Sequence, residues 1–151
     1  MLELFFNEDA WPLFAATIGV VTVVVFTLRN RQVPASTGMK VTSGFNLFFG
    51  TFMAIMGTGH ILGVFAKLAL GILPTGVNLW YAIPLGFAMA IPAGFLLATI
   101  SGLRNGERTA RNRAMLLNGW LAFVLLFPGA PLAGFATLNL VLAWIFVTGP
   151  E

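Results

Sequence analysis

Residues 44–66 read GFNLFFGTFMAIMGTGHILGVFA, without one aspartate, glutamate, lysine or arginine. A helix rises about 1.5 Å per residue, so this run reaches about 35 Å and is long enough to cross the roughly 30 Å hydrocarbon core of a bilayer. Working outward, further uncharged runs lie at 11–28, 80–102 and 114–148. The charges between them gather in the tails and in two connections, with Lys67 alone at the end of a run. This separation predicts an all-α integral membrane helical bundle, one transmembrane domain spanning 1–151.

Composition points the same way. The chain of 151 residues is 58% hydrophobic and only 9% charged, whereas a soluble domain is about a quarter charged. So few charges do not coat a water-facing surface, and the mean hydropathy of +0.92 fits a lipid-facing one. Glu3, Glu8 and Asp9 precede the first apolar run, where a cleaved signal would carry positive charge. That run is therefore expected to be a retained helix.

The last run is too long for a single crossing, at about 50 Å if wholly helical. Pro128-Gly129-Ala130-Pro131 interrupts it, and prolines end helices where glycine permits a reversal. The spans expected are 11–28, 44–66, 80–102, 114–127 and 132–148: four transmembrane segments, and a fifth if the last run crosses twice. A re-entrant hairpin is the alternative. Arg29, Arg31 and Lys40 follow the first span, and Arg104, Arg108, Arg111 and Arg113 follow the third. Basic connections stay cytoplasmic, which puts the N-terminus outside and regions 29–40 and 104–113 inside, with a bacterial inner membrane as the expected location.

Several chemistries are excluded. The chain has no cysteine and a single histidine, His60. Thiol nucleophiles, Cys-ligated metals and a bis-histidine haem held by one copy are therefore ruled out. The spans hold no carboxylate, which weighs against a proton-coupled transporter. Gly57-Thr58-Gly59 resembles a dinucleotide fingerprint by letter only, because it lies inside an apolar helix and not after a strand. The arginine-rich segment has no folded module around it that would suit nucleic acid.

Three groups of residues remain as candidates. Steps of four and three place Asn46, Gly50, Met53, Gly57, His60, Val64 and Lys67 on one helical face. Phe45, Phe48 and Phe52 fall on the other side, expected to face lipid or an apolar ligand. An ionisable residue at membrane depth is a functional hypothesis by default. His60, with Met56 and Met53 nearby, is the candidate site for a haem, quinone, carotenoid or chlorophyll-type pigment at a shared interface. A neutral imidazole bonded to a neighbouring helix is the plainer account.

Gly86, Ala90, Gly94, Ala98 and Gly102 recur at four-residue spacing, which predicts a close helix–helix contact along that stripe. Pro84 and Pro92 in the same run are expected to free main-chain carbonyls. Arg104, Arg108, Arg111 and Arg113 are expected at lipid headgroups, where each basic residue is worth about 1 kcal/mol.

The function expected from these features is that of a non-catalytic subunit packed into a larger bioenergetic or photosynthetic membrane complex, with lipids and other subunits, or copies of itself, as partners. The alternatives are a small redox or ligand-binding protein using His60 and a small oligomeric transporter or channel.

Overall fold

A computed structural model describes residues 10–29, 37–72, 79–126 and 139. Among them the architecture is wholly helical, with no strand. The helices are α1 (Ala10–Arg29), α2 (Thr37–Ala69), α3 (Leu79–Ala98), the short α4 (Ile100–Arg104) and α5 (Arg108–Leu126). Region 132–148, expected as a fifth span, lies outside the described residues apart from Asn139, as does the Pro128–Pro131 break.

Two described helices are long and apolar enough to cross a membrane, over Lys40–Ala69 and Tyr81–Ala98. Helix α1 contributes a shorter apolar stretch, Pro12–Val25. The first turns of helix α5 carry Arg108, Arg111 and Arg113. Four crossings were expected, and the described residues supply two helices of that length and character.

The helices extend into the charged connections. Helix α2 begins before Lys40 and α5 begins at Arg108. Lysine and arginine are good helix formers, so charge marks the end of the apolar run without ending the helix. Helices α2 and α4 close in the same way, through glycines with φ of 69° and 75° at Gly71 and Gly106. After α4, Gly106 N–H donates to Leu103 O at 3.2 Å and Glu107 N–H to Gly102 O at 2.9 Å. These two reverse bonds satisfy carbonyls that the helix end would otherwise orphan.

Helix α2 is central, packing most extensively on α3 and next on α1, while α5 closes the other side of α3. Met53, Leu96 and Leu121 meet at the centre with no exposed surface, one each from α2, α3 and α5. The phenylalanine stripe is not the outward face expected of it. Phe52 is only 5% exposed and belongs to the core. Phe48 stacks on it at 6.1 Å and lies against α1, where a Cβ on Gly19 would fall 2.8 Å from its ring. Helix α1 therefore covers these rings, and Phe45 alone of the three is left exposed.

The small-residue ladder of α3 is used in part. A Cβ on Gly57 would lie 2.6 Å from Gly86 O and 2.7 Å from Ala90 N, so α2 and α3 touch backbone to backbone there. Gly94 and Ala98, by contrast, are exposed, and a Cβ on Gly94 would meet nothing within 4 Å. Each four-residue step overshoots a full turn by about 40°. The ladder thus winds from the α2 contact to the outer surface before Gly102 turns in against Ala110 of α5.

Candidate functional site

Among the described residues, buried amides gather where α2 and α5 meet Asn139. Asn46 and Asn118 are fully buried and Asn139 is 1% exposed. Asn118 Nδ2 donates to Asn46 Oδ1 at 3.0 Å. Asn139 Nδ2 donates to the same oxygen at 2.8 Å and to Asn118 Oδ1 at 3.1 Å. Three amides from three parts of the chain thus close a triangle in which Asn46 only accepts, Asn139 only donates and Asn118 does both.

A buried amide without partners is costly, and in an apolar interior the cost rises because water is not there to compete. Pairing the three with one another fixes the rotation of α2 against α5 and ties in the segment carrying Asn139. Thr42 sits one turn before Asn46 and is 2% exposed. Its Oγ1, Asn46 Nδ2 and Asn139 Oδ1 have no hydrogen-bond partner among the described residues. Amides do not titrate near neutral pH, so the cluster binds and orients but does not exchange protons.

A second polar device sits between α3 and α5. Pro92 has no N–H, so the carbonyl four residues back, Ala88, has no helical donor. The Trp120 indole N–H of α5 donates to that oxygen at 3.1 Å. The carbonyl released by a proline is thereby used to join two helices.

The candidates drawn from the sequence are dispersed. Met53 is in the core, Met56 is half-buried at its edge and His60 is exposed on the outer surface. His60 is exposed although Met53, seven residues before it, and Val64, four after it, are buried. Among the described residues no hydrogen bond reaches the imidazole, and no group of three or more histidine, aspartate or glutamate side chains is placed to hold a metal.

The four arginines surround the α4–α5 turn. Arg104 ends α4, and Arg108, Arg111 and Arg113 occupy the first turns of α5. Arg111 Nη2 donates to Gly106 O at 3.3 Å, holding the turn. Burial lowers the pKa of Arg104 from its ordinary value, although a guanidinium remains charged.

Asn118 and Asn139 were not foreseen. The available signal was chemical: an asparagine within an apolar run needs a buried partner. No family of known proteins, no curated protein and no solved structure matches this chain.

Proposed function

We propose that this chain is a non-catalytic integral membrane subunit whose helices build part of a larger membrane assembly. The observation that carries this reading is the apolar outer surface. In the most apolar window of Tyr81–Ala98 only 28% of the residues are buried, and in that of Lys40–Ala69 44%. Leu13, Phe65, Phe95 and Leu116, from four helices, are 73%, 54%, 63% and 76% exposed. A helix serving as the core of a soluble domain buries most of its surface, whereas a lipid- or partner-facing helix keeps apolar groups outside.

His60 favours a protein partner over lipid alone. It is exposed, and polar groups at membrane depth normally face protein. On this proposal α1, α2, α3 and α5 together with the last run make four or five crossings of a bacterial inner membrane. The basic connections then lie in the cytoplasm and the N-terminus outside.

The deciding experiment is gentle detergent extraction of the native membrane, followed by native-mass analysis and an absorption spectrum of the fraction holding this chain. Co-migration with a much larger complex is expected, and His60→Leu should weaken it while leaving the helices folded. A stable lone species with its own turnover would overturn the proposal. Visible absorption lost in the His60→Leu variant would move the choice to the pigment- or haem-binding alternative, for which the outward imidazole supplies the ligand.

A further inference from the structure

An open cleft of about 440 Å³ lies between α3, α4 and α5, at the end of the bundle that carries the arginines. Its volume is within the roughly 300–1,000 Å³ of small-molecule sites. One part of its wall is apolar, formed by Phe95, Ala98 and Leu116. Phe95 and Leu116 are 63% and 76% exposed, among the most exposed large apolar side chains described. The other part carries Glu107, Thr109 and Arg113.

The two charges have opposite signs, yet among the described residues no ion pair joins them. The Glu107 carboxylate is set into the cleft by the turn that closes α4, where its N–H is tied to Gly102 O at 2.9 Å. Gly102 makes room for it: a Cβ there would lie 2.8 Å from Glu107 Oε2. Arg113 and Thr109 are four apart on α5 and share its cleft-facing side.

We infer that this cleft binds an amine-bearing zwitterionic phospholipid headgroup, with the phosphate on Arg113 and the ammonium on Glu107. The inference rests on the membrane reading above. The acyl chain leaves along Phe95 and Leu116 over Ala98, whose small side chain keeps that path open. An anionic headgroup without an amine meets the Glu107 carboxylate unfavourably. A choline headgroup carries positive charge but has no N–H to donate to it. A water-soluble zwitterion leaves the apolar wall uncovered.

The test is lipid titration of the detergent-purified, delipidated full chain, followed by native mass spectrometry. The probes are dioleoyl phosphatidylethanolamine, phosphatidylglycerol and phosphatidylcholine. The ethanolamine lipid is expected to bind about tenfold more tightly than the other two, the scale of one charge-assisted hydrogen bond. Glu107→Gln should abolish that preference, and Arg113→Gln should weaken all three lipids by about tenfold. Both side chains are exposed, so the variants should keep the helical circular dichroism of the parent.

Equal binding of the three lipids by the parent chain, or a preference that survives Glu107→Gln, overturns the inference. Carbonate extraction of native membranes separates this failure from failure of the membrane reading. A chain released into the aqueous phase refutes membrane residence itself. A chain retained in the membrane without headgroup preference refutes the cleft alone.

Discussion

The indole N–H of Trp120 donates at 3.1 Å to the carbonyl of Ala88, the acceptor that Pro92 cannot serve from within its own helix. Helix α3 therefore keeps its proline without leaving that carbonyl unpaired, and α5 gains a fixed point of contact. Trp120→Phe keeps most of the ring and loses the donor, so it should destabilise the bundle by about 1 kcal/mol. In a Pro92→Ala background residue 92 regains an N–H for Ala88 O, and the same change should then be nearly neutral. Thermal unfolding of the four proteins in detergent gives the coupling energy directly, and a value near zero refutes the pairing.

The asparagine triangle is directional, which makes it testable with aspartate. Asn46 only accepts, so Asn46→Asp retains oxygens for both donors. Asn139 only donates, so Asn139→Asp sets acceptor against acceptor. The second variant should be the less stable by about 1–2 kcal/mol, the scale of polar contacts between membrane helices. Equal losses in a denaturant titration would mean that the amides are oriented otherwise.

Backbone contact between α2 and α3 at Gly57 leaves no room for a methyl group. The atoms in the way, Gly86 O and Ala90 N, are main chain and do not rotate aside. Gly57→Ala should destabilise the pair by roughly 1–3 kcal/mol, as overpacking does. Gly94→Ala meets open space and should be tolerated, with a small gain from helix propensity. Melting temperatures of the two single variants decide whether the ladder matters along its length or only where it faces α2.

Because the chain contains no cysteine, single cysteines report topology without background. Thr109→Cys, beside the arginines, should react with a membrane-impermeant maleimide only from the cytoplasmic side. Ile72→Cys, beyond the end of α2, should react only from the opposite side. Labelling of both from one side would contradict the proposed orientation.

Much of this arrangement was legible in the residues. The apolar runs located the helices, the α2 stripe contained Asn46, Met53 and Gly57, and Pro92 announced a free carbonyl. Charge misled at the boundaries, since Lys40 and Arg108 lie within helices. Periodicity also reached its limit at Phe52 and His60. It says which residues share a face, but not which faces a neighbouring helix will cover. Asn118 and Asn139 lie 72 and 93 residues from Asn46, and local spacing carries no information about such a pairing.

That distance along the chain also orders biogenesis. Helices α1, α2 and α3 are synthesised before either partner of Asn46. Until then the Asn46 amide must be held by water, by lipid headgroups or by an insertion factor, because exposing it to hydrocarbon is unfavourable. Arrival of residue 118 supplies one donor and arrival of residue 139 the other. The triangle thus acts as a late latch, turning a loosely inserted set of helices into one fixed arrangement only after most of the chain has been synthesised.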